Sequence, residues 1–187
     1  ADLSWTRRAK REHLSRIAAG RLPACQINMC GIAGIFTPSP RESELLSSMA
    51  VQMQDKMRHR GPDGDGRWIS PSERAVLVHT RLAIIGLGEA GQQPKTQGAN
   101  ALTFNGEIYN YRTLRSELES AGININTPTD SEVLLASLIH NGSACLQKLR
   151  GMFAFAFWDE AKKEGRLVRD PLGIKPLYYY QASDGSL

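Results

Sequence analysis

The stretch MCGIAGIF at residues 29–36 decides how the rest of the chain is interpreted. After Met29 and Cys30 it is a short apolar run, six residues long in Gly-Ile-Ala-Gly-Ile-Phe. A run of this length and composition is typical of a buried strand. We therefore predict a core strand over residues 31–36, with Cys30 directly in front of it.

The segments that follow alternate between helical and strand patterns. Helices are predicted where apolar residues recur every three or four positions: from a capping box at 39–42 to residue 57, over 111–121, and from a second capping box at 129–132 to residue 140. Short strands are predicted over 75–85, 101–104, 152–158 and near Leu167, with Asn105-Gly106 ending the second of them. This combination indicates an α+β domain with antiparallel sheets.

Cys30 is the first candidate for chemistry. A lone cysteine beside an apolar strand is more often a small buried residue than a nucleophile. Its position after Met29 changes the expectation, because removal of an initiating methionine would leave a thiol and a free α-amine on one residue. An α-amine has a reference pKa of about 7.7–8.0 and can act as a general base near neutral pH. A thiol is intrinsically the better nucleophile for acyl transfer, so Cys30 could activate itself.

Two other kinds of site are not supported by the sequence. Residues 86–91 have the glycine spacing of a dinucleotide-binding turn, but Pro94 and Gly98 would break the helix that such a turn must open, so we predict a connecting loop. The cysteines at 25, 30 and 145 are odd in number and form no C-x-x-C pair. Neither a disulfide scaffold nor a structural zinc site is expected, and a reducing, cytoplasmic location fits best.

The net charge of +4 is concentrated at the start of the chain. Residues 1–28 contain six basic and two acidic residues, whereas the remainder carries 17 of each sign. A basic nucleic-acid-binding face on the folded domain therefore has no support from the charge balance. No apolar run approaches the ~20 residues that span a bilayer. We expect neither a nucleic-acid nor a membrane partner.

Residues 1–28 are predicted to be a basic leader outside the fold. Three origins stay open: an upstream extension or fragment, a cleaved propeptide, and an organelle-targeting peptide. Whatever its origin, the leader blocks the α-amine of Cys30 unless it is removed. The chain stops shortly after Tyr180 without a terminating signal, so we expect the domain over 29–187 to be incomplete at its C-terminus.

Six motifs in a fixed order carry a family resemblance. They are MCGIAGI at 29–35, RHRGPD at 58–63, RLAII at 81–85, FNGEIYN at 104–110, TDSEV at 129–133 and RDPLGIKPLY at 169–178. Together they resemble the N-terminal glutaminase domain of glutamine-hydrolysing asparagine synthetases, which are class II glutamine amidotransferases of the N-terminal-nucleophile hydrolase type. The resemblance implies a four-layer αββα sandwich with two antiparallel sheets.

The resemblance also implies the reaction and the residues that perform it. Cys30 would attack the side-chain amide of glutamine, release ammonia and leave a thioester that is hydrolysed to glutamate. Asn105, through its side-chain amide, and Gly106, through its backbone N–H, match the oxyanion hole of the family.

Further family positions imply how glutamine is held. Arg81 matches the residue that binds the α-carboxylate, a task suited to a bidentate guanidinium. Glu107 and Asp130 match acidic residues near the α-ammonium, and backbone groups at Ile84 and Ile85 are further expected contacts. For Arg58, His59 and Asp63 we expect a structural role in positioning the glutamine loop.

No cofactor or metal is implied for residues 29–187. In the family the ammonia passes to a C-terminal synthetase domain, outside these residues, which uses ATP and Mg²⁺ to convert aspartate into asparagine. Expected partners are therefore L-glutamine and that domain of a full-length chain, and a homodimer stays open. Two alternatives also stay open: an amidotransferase of the same family that acts on another carboxylate, and a catalytically silent fragment with a blocked nucleophile.

Overall fold

Strand β3 (Ala75–Arg81) lies at the centre of the first sheet, and all of its residues are buried. The computed structural model describes residues 29–82 and 89–187. Strands β1 (Gly31–Phe36) and β2 (Gly64–Ile69) pair antiparallel with β3, so the order of the sheet is β1-β3-β2. The predicted leader and the predicted strand end at 83–85 lie outside the described residues.

The second sheet contains four antiparallel strands, which are adjacent in chain order: β4 (Lys95–Gln97), β5 (Asn100–Ile108), β6 (Gly151–Asp159) and β7 (Glu164–Arg169). In β6 phenylalanine alternates with alanine, and successive side chains of a strand point to opposite faces. The three phenylalanines pack into one hydrophobic cluster, whereas Ala156 lies in another. The alternation therefore gives β6 one bulky face and one thin face.

The thin faces of the two sheets pack against each other. Ala156 clusters with Ala101 of its own sheet and with Leu77 of β3. A buried hydrogen bond crosses the interface, from Thr103 Oγ1 to the Val78 carbonyl oxygen at 3.1 Å. Small side chains at this interface leave room for the backbones to approach, so a polar contact can bridge the sheets.

The helices cover the outer faces of both sheets. Helix α1 (Ser43–Met57) packs Leu46 and Ala50 on the first sheet. Helices α2 (Tyr111–Ser120) and α3 (Asp130–Asn141) bury their leucines against the phenylalanines of the second sheet. This arrangement confirms the predicted four-layer αββα architecture. Within the described residues, no helix has the length and apolar character required to cross a membrane.

Strand β5 differs from the prediction, because it continues through Asn105-Gly106 to Ile108 instead of ending at Phe104. Gly106 pairs with Phe153 of β6 and has a φ of 151°. A Cβ atom at this position would lie 2.1 Å from the Met152 carbonyl oxygen. The glycine therefore allows a close approach of two strands here and does not form a turn.

Two strands, the start of α1 and both capping boxes also differ from the predictions. Strands β2 and β4 were not predicted, since neither has a continuous apolar or alternating pattern. Helix α1 begins at Ser43 instead of Pro40, because the Arg41 N–H donates to the Glu73 carbonyl oxygen (3.0 Å) and holds this segment outside the helix. At α3 the predicted capping box does not form: the Glu132 carboxylate accepts hydrogen bonds from the N–H groups of Asn126 and Thr127 (2.8 and 2.7 Å).

The close approach at Gly106 predicts a large effect of a single methyl group. Gly106→Ala should lower the free energy of unfolding by about 3 kcal/mol, because either strand must move to accommodate the Cβ. The matched control is Gly98→Ala, where φ is 60° and no atom of the described residues lies within 4 Å of the added Cβ, so only the backbone penalty of about 1 kcal/mol remains. Urea denaturation of the two variants measures the difference, and equal losses would contradict the steric explanation.

Candidate active site

A cavity of about 140 Å³ lies where β1 begins and β3 ends. Because Gly31 pairs with Thr80, the antiparallel register places Cys30 beside Arg81. Strand β5, the start of α3, and residues 91, 93, 152 and 175 supply the other walls. Six of the residues predicted from the sequence line this one cavity: Cys30, Arg81, Asn105, Gly106, Glu107 and Asp130.

The Cys30 sulfur is held by the backbone that follows β3. The Leu82 N–H lies 3.4 Å from Sγ, and the thiol lies 3.6 Å from the Leu82 carbonyl oxygen, to which it can donate. Cys30 is only partly buried, whereas the other cysteine of the described chain, Cys145, is fully buried. Burial raises the pKa of the Cys145 thiol, so Cys30 is the accessible thiol of the described residues.

Asn105 and Gly106 both line this cavity, and between them they carry two different donors, a side-chain amide and a backbone N–H. Asn105 is only 5% exposed. It also lines, together with Cys30, a second cavity of about 270 Å³. His59 belongs to the second cavity and not to the first. Cys30 and Asn105 therefore border both cavities.

Arg81 is buried, with 6% of its surface exposed. Its backbone is held by the RHRGPD segment: the Asp63 N–H donates to the Arg81 carbonyl oxygen at 3.0 Å, and Pro62 forms a parallel bridge to Arg81. Arg58, by contrast, pairs with Asp55 on the surface at 3.1 Å. The segment thus fixes the position from which the Arg81 side chain enters the cavity.

Two carboxylates face the same cavity. Asp130 Oδ2 accepts a hydrogen bond from the Ile108 N–H at 3.0 Å, which ties the start of α3 to the end of β5. Burial raises the pKa of Asp130, and the charge of Glu107 acts in the same direction, while the N–H groups of Ile108 and Ser131 oppose the shift. A bound cation between the two carboxylates would relieve this repulsion.

Besides Thr129 and Ser131, which flank Asp130, three polar residues of the cavity wall were not predicted as site residues: His79, Gln93 and Lys175. The Gln93 side chain bonds to the backbone of Phe104 through both of its polar atoms, at 2.7 and 3.1 Å, and so extends the pairing of β5. His79 is 1% exposed, and its Nε2 atom has no hydrogen-bond partner among the residues that the structure describes. Lys175 is 8% exposed. His79 could have been found from its place two positions before Arg81 on the same strand face, whereas nothing local marks the other two.

Some sequence predictions are not addressed by the geometry. Ile84 and Ile85, predicted to offer backbone contacts, lie outside the described residues. Of the glycine-rich segment at 86–91, residues Glu89–Gly91 form a short 3₁₀ turn, and Gly91 lines the cavity. Within the described ranges, no group of three or more His, Cys, Asp or Glu side chains is arranged to hold a metal ion.

His79 predicts how stability depends on pH. Burial lowers its pKa from 6.5 to about 4, and the Arg81 charge adds to this, while a hydrogen bond to the Phe104 backbone opposes it. The unfolded chain therefore binds more protons than the folded chain between these values. The contribution of His79 to stability is complete above pH 6.5 and is lost as the pH falls towards 4.

Because of His79, we expect the free energy of unfolding to fall by about 2 kcal/mol when the pH is lowered from 7 to 5. Urea denaturation of the wild type and of His79→Gln at both pH values isolates the effect, because the other titrating groups are common to the two proteins. His79→Gln should lose less stability on acidification. An identical loss in both proteins would show that His79 does not titrate in this way.

Comparison with known proteins supports the same family as the motifs. Residues 29–187 match the family described as glutamine amidotransferase domain. Asparagine synthetase [glutamine-hydrolyzing] 1 of Bacillus subtilis (strain 168) is 41% identical over 158 residues, which cover 83% of this chain and 25% of that protein. Amidase chry2 of Gibberella zeae is 37% identical over 161 residues, covering 81% and 24% respectively. The chain spans about a quarter of the length of these relatives.

A solved structure has the same fold at lower sequence similarity. Glutamine phosphoribosylpyrophosphate amidotransferase from B. subtilis, complexed with ADP and GMP, superimposes with a TM-score of 0.60 at 21% identity, covering 78% of this chain and 38% of that chain. At this identity the likeness concerns the fold. The sequence match, by contrast, extends over all of residues 29–187 and shows that this chain belongs to the glutamine amidotransferase domain family.

Proposed function

We propose that this chain hydrolyses glutamine to glutamate and ammonia, with Cys30 as the nucleophile. The observation that carries the proposal is the convergence on one cavity of an accessible thiol, an amide with an adjacent backbone N–H, a guanidinium and two carboxylates. Each of these groups matches one demand of amide hydrolysis on an amino-acid substrate, and they come from four different elements of the fold.

The reaction starts once residues 1–29 have been removed. The α-amine of Cys30 accepts the thiol proton, and the sulfur attacks the amide carbon of the glutamine side chain. The resulting oxyanion accepts hydrogen bonds from the Asn105 amide and the Gly106 N–H. The α-ammonium of Cys30 returns the proton to the leaving nitrogen, and ammonia departs to leave a thioester. The same α-amine then takes a proton from water, whose oxygen attacks the thioester carbon; the C–S bond breaks, the proton returns to the Cys30 sulfur, and glutamate is released.

The charges of the cavity complement those of a free amino acid. Arg81 pairs with the α-carboxylate, to which a guanidinium can donate two parallel hydrogen bonds. Glu107 and Asp130 lie beside the α-ammonium, which relieves the repulsion between the two carboxylates. The arrangement favours a substrate that carries both charges on one carbon, as glutamine does.

The destination of the ammonia is a separate part of the proposal. The Bacillus subtilis relative is named an asparagine synthetase. On this basis we propose that the ammonia is used to form asparagine from aspartate, in a synthetase domain that uses ATP and Mg²⁺. The amidase of Gibberella zeae has a similar sequence identity to this chain, and its name supports the alternative that the ammonia acceptor is a different carboxylate. A homodimer stays a prediction from the resemblance.

Removal of the leader should switch on the glutaminase activity. The full chain retaining residues 1–29 should be nearly inactive, because an acylated α-amine is not a base near neutral pH. After specific cleavage directly before Cys30, glutamate and ammonia should form without ATP, and alkylation of Cys30 should stop the reaction. Cys145→Ala serves as the control, since this buried thiol lies in the core of the second sheet. Equal activity of cut and uncut chains would contradict the self-activating mechanism.

Two substitutions in the cleaved chain separate chemistry from binding. Asn105→Ala should lower kcat by about 10²–10³-fold, because its amide acts on the oxyanion of the transition state. Arg81→Ala should mainly raise KM, because the α-carboxylate contact is equally strong in the ground and transition states. Steady-state kinetics with glutamine distinguish the two effects. An unchanged KM in Arg81→Ala would remove Arg81 from the substrate site.

A further inference from the structure

Lys175 is a buried cation in the wall of the active-site cavity. Its side chain is 8% exposed, and its Nζ atom donates to the sulfur of Met29 at 3.1 Å. A thioether is only a weak acceptor. In the part of the chain that the structure describes, no carboxylate forms an ion pair with Lys175. An ammonium buried with so poor a partner is costly, so its position calls for a functional explanation.

The loop before Lys175 holds it in place. The Asp170 carboxylate accepts hydrogen bonds from the N–H groups of Ile174 and Lys175 and from Phe153 of β6, at 2.9, 3.0 and 3.2 Å. Arg169 closes the loop from the other side, donating to the Lys175 carbonyl oxygen at 2.9 Å. The Lys175 backbone is therefore fixed to β6, and its side chain enters the cavity from a rigid base.

The other charged or titratable groups of the cavity come from different elements: Cys30 from the start of β1, His79 and Arg81 from β3, Glu107 from β5 and Asp130 from α3. Arg81 and the two carboxylates have counterparts in the zwitterionic substrate proposed above. Since burial lowers the pKa of His79 to about 4, its imidazole is neutral at pH 7. Lys175 is the remaining charge of this cavity, and the substrate offers no further group for it. His59 and Arg60 line the second cavity, which Cys30 also borders.

The contact with Met29 shows which part of the site Lys175 faces. Met29 is bonded to the nitrogen of Cys30, and its sulfur lies 3.1 Å from Lys175 Nζ, so Nζ lies within the reach of one methionine residue from the position of the future α-amine. The contact ends when Met29 is removed, and no other polar partner of Nζ is present among the described residues. After processing, the lysine ammonium and the new α-amine share the space that Met29 occupied.

We propose that Lys175 is a positioning residue that keeps the α-amine of the processed Cys30 in its neutral, proton-accepting form. The inference rests on the glutaminase function proposed above. A second positive charge nearby disfavours the α-ammonium, because like charges repel. This increases the fraction of processed Cys30 whose α-amine can accept the thiol proton at neutral pH. In the unprocessed chain the same ammonium holds Met29 in the cavity.

The test measures how kcat/KM for glutamine depends on pH in the protein obtained by cleaving the full chain directly before Cys30. We expect Lys175→Met to shift the acidic limb of the kcat/KM profile for glutamine upwards by about one pH unit, which lowers activity at pH 7 about tenfold while activity near pH 9 recovers. Lys175→Arg, which keeps the charge, should retain the wild-type profile. Lys175→Gln is measured in parallel as a second uncharged variant, and Lys56→Met is the control because Lys56 is exposed on α1.

The outcomes separate this inference from the function on which it rests. A wild-type protein without glutaminase activity would overturn the proposed function. An active wild type whose uncharged variants lose activity equally at every pH, or lose none, would overturn the role of Lys175. The rate of Cys30 alkylation by iodoacetamide against pH gives a second readout that needs no turnover. The pH at which this rate reaches half of its maximum should be higher in the uncharged variants than in the wild type and unchanged in Lys56→Met.

Discussion

The antiparallel register between β1 and β3 is the constraint on which the site depends. Gly31 lies opposite Thr80, and a Cβ on Gly31 would approach the Thr80 Oγ1 atom to 2.5 Å. The Thr80 hydroxyl in turn donates to the Met57 carbonyl oxygen at the end of α1, at 3.2 Å. The residue after the nucleophile is therefore held between a strand and a helix end. A slip of one residue would reverse the faces of β1 and remove Cys30 from its contacts with Leu82.

The fold was predictable from sequence where burial leaves a periodic pattern. Strand β6 is marked by alternating phenylalanine and alanine, and α2 by Leu114 and Leu118 on one face. Strand β2 (GDGRWI) has no such pattern, and it is a strand because β3 offers it a paired edge. Tertiary context overrides local preference in such cases. Gly106 illustrates the converse: an Asn-Gly pair signals a turn locally, but here the glycine serves strand packing.

The candidate site was predictable to a different extent. Cys30 stood out through its position after Met29, whereas Arg81 and Asn105 were identified as functional only by their order within the six motifs. The structure places these residues in one cavity although they belong to three strands or strand ends. His79 and Lys175 escaped prediction because the burial of a polar side chain depends on contacts distant in sequence. Buried polar groups of this kind influence the pKa values of the reacting groups in a site. The sequence therefore reveals the reacting groups more readily than the buried neighbours that shift their pKa values.

Cys30 is the residue directly before the first residue of β1, and this position has a consequence at the level of the gene. Gly31 is already paired in the sheet, so no linker separates the proposed nucleophile from the rigid core. On the proposed mechanism, the start of the polypeptide is itself a catalytic group, and the choice of translation start becomes a determinant of activity. A start codon moved upstream, or an affinity tag added at the N-terminus, would silence the domain without altering one residue of its fold.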